Sequence, residues 1–413
     1  MSSDGAFLAA ASSIADRIVA DAVWHADRCN WTGAVVDPAL PWRLEYRALE
    51  PNLYDGAAGV GLFLAQLAVV NGDGAVRRTA RGALRQAIAR TPALTPGRRD
   101  GFHAGCLGIA WAAARAARLL DDEELWACGR LVAAEAQLPS ALQRCPDVVT
   151  GSAGTILALL ALAELYDDPA LFDDARATGD ELIDRARVTE HGWSWADPSR
   201  GHRGHLCGLS HGSAGIGWAL LELFVSTGDE RFREAAEGAF AYERSWFDAR
   251  SGTWVDLRAG GSRRGASRRF RSPAAGTWCH GEAGIALTRL RASAVLGPVT
   301  YRDEAELALE ATRRELLRAQ LHERDDLTLC HGAAGAADAL LCGEAALGGR
   351  RPEAAALGMA SIERYGATPG DWPCGAAGGK NPSLFRGLGG IAWWLLRLHE
   401  PSIPSPLTLP VRG

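Results

Sequence analysis

Seven Gly-x-x-Gly pairs, each leading into an apolar run, constrain this chain more than any other feature. They fall at Gly56 and Gly59, Gly105 and Gly108, Gly151 and Gly154, Gly212 and Gly215, Gly281 and Gly284, Gly332 and Gly335, and Gly387 and Gly390. A motif that recurs from one end of a chain to the other marks a repeat architecture. The runs that follow, such as residues 61–67, 156–162, 216–223 and 391–398, carry few charges. A helix apolar on nearly every side has to be buried. Before the pairs, beyond polar loops, lie stretches rich in Arg, Glu and Ala at residues 78–89, 170–186, 231–243 and 302–319. Their spacing predicts outer helices with one wet face.

An outer helix, a Gly-rich turn and an inner helix cannot bury their apolar faces as one unit, so neighbouring units must supply the missing surface. Successive pairs are spaced from 46 residues (Gly105 to Gly151) to 69 residues (Gly212 to Gly281). That is long for a tetratricopeptide-type solenoid at about 34 residues per repeat. The expected fold is all-α: an α/α toroid, a double-layered barrel of seven helical hairpins, with short strands only in the loops. The Gly turns gather at one end of the ring, where Gly lets the backbone bend sharply. Residues just ahead of them then line a central cavity. A repeat running through the whole chain makes residues 1–413 one expected domain, although the length allows two or three.

A formal net charge of −5 gives no overall basic character that would suggest nucleic acid. No apolar run reaches the roughly 18 residues of a membrane span. The first 20 residues carry Asp4 and Asp16 and lack the basic start and apolar core of a signal peptide. A cytoplasmic protein is expected. Its nine cysteines, an odd number, do not make the framework of a small secreted domain. They are thiols or metal ligands. Cys128 and Cys342 sit within helical patterns and read as small core hydrophobes, and Cys106 and Cys207 lie near Gly-rich turns.

Two of the seven turns carry chemistry. Thr-Trp278-Cys279-His280-Gly281 and Thr-Leu-Cys330-His331-Gly332 place Cys-His pairs at equivalent repeat positions in neighbouring units. Thiolate and imidazole suit zinc, and three protein ligands leave a fourth position open. Cys279, Cys330 and His331 supply such a set, whereas use of His280 as well would close the site and make it structural. One isolated pair would read as local packing at a turn. Two further residues stand ahead of turns, His211 and Asp147, and an imidazole and a carboxylate beside a metal make an acid/base set. Each has a plainer reading as a cap or turn residue. Residues 258–271 contain six arginines, among them Arg258 and Arg269. They read either as solvated surface or as a grip on an acidic peptide. Trp195, Trp254 and Trp278 read as core packing or as the wall of a peptide groove.

These residues carry a resemblance. Asn-Leu-Tyr54-Asp55-Gly, Asp147-Val-Val-Thr-Gly-Ser-Ala-Gly, Leu-Ser-His211-Gly, Trp278-Cys279-His280-Gly, Leu-Cys330-His331-Gly and Ser-Leu-Phe-Arg-Gly-Leu-Gly-Gly follow in order the pattern of lanthionine synthetase C-like cyclases. The wording is most similar to the C-terminal cyclase domain of class II lanthipeptide synthetases. The resemblance implies one zinc ion on Cys279, Cys330 and His331. It also implies addition of a peptide Cys thiol to dehydroalanine or dehydrobutyrine, forming a (methyl)lanthionine thioether ring. His211 and Asp147 become the catalytic pair, with the proton carrier between them undecided, and Trp278, His280, Arg258 and Arg269 become substrate contacts. The implied partners are a precursor peptide bearing Cys and dehydrated Ser or Thr and a separate dehydratase. Any membrane association would be transient and made through such partners. The expected protein is a monomer. Some family members carry an Arg four residues before the first zinc Cys, where this chain has Ala275, so that residue's role does not transfer. Two other readings remain: a zinc protein binding glutathione or a thiol peptide without turnover, and a prenyltransferase-like thiol alkylation.

Overall fold

The second Gly of each pair explains why the motif recurs. In the computed structural model, the carbonyl of the residue six positions earlier closes over the first turn of the following helix. A Cβ would come within 2.2 Å of Leu53 O at Gly59, 1.7 Å of Phe102 O at Gly108 and 1.9 Å of Leu329 O at Gly335. The same close approach recurs at Gly154, Gly215, Gly284 and Gly390. No side chain fits there, so the turn is fixed by sterics before any chemistry is placed on it.

The structure describes residues 3–37, 40–94, 99–136, 144–196, 205–259, 276–297, 299–321, 326–375 and 379–408. Seven outer helices and seven inner ones alternate along them. The outer helices are α1 (Ser3–Ala20), α3 (Gly74–Ala89), α5 (Glu123–Ala134), α7 (Pro169–Asp184), α9 (Glu230–Arg244), α11 (Val299–Leu321) and α13 (Arg351–Tyr365). The inner helices, each starting at a Gly turn, are α2 (Ala57–Asn71), α4 (Cys106–Leu120), α6 (Ser152–Tyr166), α8 (Ser213–Thr227), α10 (Glu282–Leu296), α12 (Ala333–Leu347) and α14 (Leu388–His399). Residues 57–68 of α2 are buried without interruption, as an all-apolar helix requires. Outer helix α3 instead buries Val76, Thr79, Ala80, Ala83, Leu84 and Ala87, one stripe at helical spacing, and on its other side only Gly82, beneath Trp24.

Each inner helix packs on the next, and α14 packs back on α2. The inner ring is therefore closed, and the fold is the α/α toroid. The chain ends complete it: α1 lies on α14, with His399 Nδ1 2.9 Å from Asp4 O. Pairing differs from expectation in one respect. From α2 to α10 the tight hairpin joins each inner helix to the outer helix that follows it, while the Gly turn is reached through a longer loop from the preceding outer helix. The cause is local. Gly72 ends α2 in the left-handed region (φ 71°), and Asp73 then caps α3 by accepting from Ala75 N at 2.7 Å and Val76 N at 3.1 Å. Asp121 and Asp122, Asp167 and Asp168, and Gly228 and Asp229 repeat the device, each Asp cap stabilising its helix by about 1 kcal/mol.

The Gly turns meet at one end of the ring and hydrogen-bond in a closed belt. Tyr54 N donates to His103 O (3.0 Å), Ala104 N to Val149 O (3.1 Å), Val148 N to Ser210 O (3.1 Å) and Ser210 N to Cys279 O (2.9 Å). Trp278 N donates to Cys330 O (3.2 Å), Cys330 N to Phe385 O (3.0 Å) and Phe385 N to Tyr54 O (2.9 Å), which returns to the start. Buried backbone groups need such partners, and here the partners lock neighbouring turns in register. Among the described residues, strands occur only as four two-stranded antiparallel hairpins in the loops: β1 (Val23–His25) with β2 (Arg28–Asn30), β3 (Thr32–Asp37) with β4 (Leu40–Ala48), β5 (Arg187–Thr189) with β6 (Gly192–Ser194), and β7 (Phe247–Asp248) with β8 (Thr253–Trp254). No helix among the described residues is long and apolar enough to cross a membrane.

Candidate active site

With the belt fixing register, one can read which side chain each unit contributes. Three residues before the first Gly stands an apolar anchor in every unit, among them Leu53, Val148, Trp278 and Leu329, all buried. Two residues before it stand Tyr54, His103, Val149, Ser210, Cys279, Cys330 and Phe385, and one residue before it stand Asp55, Ala104, Thr150, His211, His280, His331 and Arg386. The chemistry is thus concentrated in units four to seven, on one arc of the ring.

Cys279, Cys330 and His331 come together as expected from sequence: their ligand atoms all lie within 4.8 Å of one another. Cys330 is buried, Cys279 half-buried and His331 exposed, so the group opens outward on the imidazole side. Hydrogen bonding from the Cys330 thiol holds Cys279 well below the ordinary thiol value, against burial and with help from His331. Burial pushes Cys330 the other way, and its Sγ accepts a 2.8 Å hydrogen bond from Tyr54 Oη. The hydrogen bond with Cys279 raises His331. Two thiols and an imidazole therefore share protons in one cluster, a donor set that a cation can displace protons from. Zinc bonds sulfur at about 2.3 Å and nitrogen at about 2.0 Å, and three converging soft donors fit it.

His211 and Asp147 also meet. Asp147 Oδ2 lies 2.5 Å from His211 Nδ1, while Asp147 Oδ1 accepts from Thr150 N at 2.7 Å and Thr150 Oγ1 at 3.0 Å. Burial pushes the Asp147 carboxyl up, but the hydrogen bonds from His211 and Thr150 outweigh it and keep it below the usual carboxylate value. The carboxylate is buried and the imidazole about a quarter exposed (side chains 4% and 24%), so only the imidazole can reach a bound molecule. His280 does not join the three converging metal donors. It stacks on His211, with ring centroids 5.3 Å apart and 26° between planes, and burial pushes it down to about 4.

Of the expected substrate contacts, Trp278 is corrected. It is wholly buried, its ring lies 5.0 Å from that of Phe385, and Nε1 donates to Leu407 O at 3.1 Å. It backs the turn of Cys279 and His280 and is no groove wall, because its position is the anchor position of every unit. Trp195 and Trp254 are buried as well. Arg258 lies near enough for Cys279 and Cys330 to raise it, after its hydrogen bond to Asp256, and NH2 meets Asp256 Oδ2 at 2.8 Å. Arg269 and Ala275 lie outside the described residues. Cys106 begins α4 and Cys207 packs beside Leu206 and Tyr242, both buried and apart from the converging metal donors.

Sequence reasoning missed three residues. Tyr54 and His103 could have been found by aligning units on the Gly pairs, which puts both in register with the cysteines. His103 is fully buried among Tyr54, Phe102, Trp278 and Phe385, and burial pushes it down to about 4. Glu243, on outer helix α9, carries no motif. Its Oε1 accepts from Gly208 N at 2.6 Å and burial raises it to about 7. Gly208 (φ 98°) is the bend that lets the His211 loop pass the His280 backbone, which a Cβ there would meet at 2.7 Å.

Fold and site together define an α/α toroid whose Gly turns carry two cysteines and a histidine able to hold a metal. The chain matches the model of the lanthionine synthetase C-like protein family over residues 47–409, and it belongs to that family. Among solved structures it resembles nisin cyclase, with a TM-score of 0.62 and 19% identity over 85% of this chain and 89% of that chain. An unsaturated glucuronyl hydrolase specific for heparin aligns with a TM-score of 0.45 and 14% identity, covering 76% of this chain and 82% of that one. The α-1,6-mannanase GH76A from Salegentibacter sp. HEL1_6 aligns with a TM-score of 0.41 and 12% identity, covering 76% and 88%. A search of curated proteins returned no match.

Proposed function

We propose that this chain is a zinc-dependent lanthipeptide cyclase, which adds Cys thiols of a dehydrated precursor peptide to dehydroalanine or dehydrobutyrine. The observation that carries the reading is the convergence of Cys279, Cys330 and His331 beside the hydrogen-bonded pair of Asp147 and His211. Cys279, Cys330 and His331 would hold the ion. When bound, zinc supplies thiol activation, since a coordinated thiol is deprotonated outright whereas a free one, with pKa near 8.5, is mostly protonated.

The remaining work falls to the protein. Tyr54 Oη, donating to Cys330 Sγ, orients that ligand and shares its charge, the role outer groups play around metal sites. Carbon–sulfur bond formation breaks the carbon–carbon π bond and moves its electron pair towards the neighbouring amide oxygen, and the α-carbon then takes a proton. His211 delivers that proton. Its Nδ1 is engaged by Asp147, so Nε2 is the nitrogen left to exchange a proton with the peptide, and Asp147 fixes the tautomer. A pair so arranged contributes on the order of 10²–10⁴-fold.

His211→Asn tests the reading. A synthetic peptide bearing one dehydroalanine and one Cys loses its iodoacetamide-reactive thiol without change of mass when the ring closes. The expected result is a loss of roughly 10²-fold or more with zinc content unchanged. Retained activity would remove His211 from the reaction. A wild type that binds the peptide and zinc but never closes the ring would make this a thiol-binding protein instead.

A further inference from the structure

Arg386 occupies the same turn position as His211, His280 and His331, one residue before the first Gly of its unit. It is half-buried, and among the described residues its guanidinium has no hydrogen-bond or ion-pair partner. Its backbone is held firmly: Arg386 O accepts from Gly375 N at 2.9 Å, and the preceding Phe385 bonds Cys330 N on one side and Tyr54 O on the other. Phe385 also stacks on Tyr54, with centroids 5.0 Å apart and planes at 17°. The bonds of Phe385 thus set Arg386 on the turn next to that of Cys330 and His331 in unit six. Arg258, the other arginine near the cysteines, is already tied to Asp256 through two nitrogens. A half-buried guanidinium on a rigid turn, with none of its donors taken up by the described protein groups, is free to bind a carbonyl or anionic oxygen that arrives there.

The reaction proposed above, on which this step rests, creates such a group. As the sulfur bonds to the β-carbon, the π pair moves through the α-carbon onto the amide oxygen of the dehydro residue, and that oxygen carries negative charge until the α-carbon is protonated. The proton comes from His211 in unit four, and the cysteines lie in units five and six. Unit seven is left to meet the oxygen. We propose that Arg386 is a catalytic residue whose guanidinium donates hydrogen bonds to the amide oxygen of the dehydroamino acid and stabilises the enolate formed during C–S bond formation. Donors preorganised where charge develops act in the transition state more than in the bound ground state.

The test compares wild type with Arg386→Gln and Arg386→Lys on the same dehydroalanine and Cys peptide, with zinc per chain measured by elemental analysis. Binding is read by fluorescence anisotropy with a labelled analogue carrying Ala in place of dehydroalanine. We expect kcat to fall on the order of 10²-fold for Arg386→Gln, partial recovery in Arg386→Lys, and zinc content and analogue Kd within about twofold of wild type. A fall confined to KM and Kd would make Arg386 an anchor for peptide charge and overturn the proposal, as would a kcat change under about threefold. A wild type that never closes the ring sinks the cyclase reading together with this one. A competent wild type with an equally competent Arg386→Gln sinks only the role of Arg386.

Discussion

The third and sixth units share a backbone and differ in purpose. Val148-Val149-Thr150-Gly151 and Leu329-Cys330-His331-Gly332 have the same buried anchor, the same extended first Gly and the same carbonyl closing over the second Gly, at 2.0 Å from a Cβ on Gly154 and 1.9 Å on Gly335. In unit six the two residues between anchor and Gly carry a thiol and an imidazole, and in unit three a Val and a Thr whose work is to hold Asp147. Scaffold and chemistry are therefore written at separate positions, so either can be changed without the other.

The largest effect should be blind to that difference. Gly154→Ala and Gly335→Ala each push a methyl into a carbonyl oxygen of a locked belt, and both should lose about 3 kcal/mol or more in denaturant unfolding, more than ordinary overpacking costs. If only Gly335→Ala were damaging, the turns would not be one repeated scaffold.

The next comparison sets His103 against Cys330, both two residues before their Gly. Burial holds His103 at about 4 in the fold, below the ordinary 6.5 of the unfolded chain. As the pH falls from about 6.5 to about 4 the unfolded chain takes up a proton that the fold refuses, so stability is lost across that window, by ~3 kcal/mol in all. His103→Phe removes this contribution. The fall in unfolding free energy between pH 7.5 and pH 4.5 should then be about 2 kcal/mol smaller than in wild type, and an equal fall in both proteins would mean that His103 is not held neutral.

Tyr54 ties unit one to the metal turn, and its loss should be the smallest effect. Tyr54→Phe removes one hydrogen bond to Cys330, expected to weaken zinc about tenfold at most in competition with a chelator, with global stability little changed. A complete loss of zinc would make Tyr54 part of the binding set and not its support.

Most of the toroid was legible because the Gly pairs and the apolar runs are local signals. Which helices pair tightly was not read, although Gly72-Asp73 and Asp121-Asp122 hold the answer in a cap and a left-handed residue. The docking of α1 on α14 is a contact between chain ends that no local pattern carries. In the site, Cys279, Cys330 and His331 were visible through their chemistry and repeat position. Trp278 was left open between groove wall and core because its residue type allows both, while its register, shared with Leu53 and Leu329, is that of a buried anchor. Glu243 could not have been found, since it reaches the His211 loop from an outer helix.

The central claim is that equivalent turn positions in neighbouring units hold one zinc ion with a position left open. Zinc per chain by elemental analysis, for wild type and for Cys279→Ala, Cys330→Ala, His331→Ala and His280→Ala, tests it most directly. The account predicts one zinc in wild type, lost in the first three variants and kept in His280→Ala. Absence of zinc from wild type, or its equal loss in His280→Ala, would contradict it.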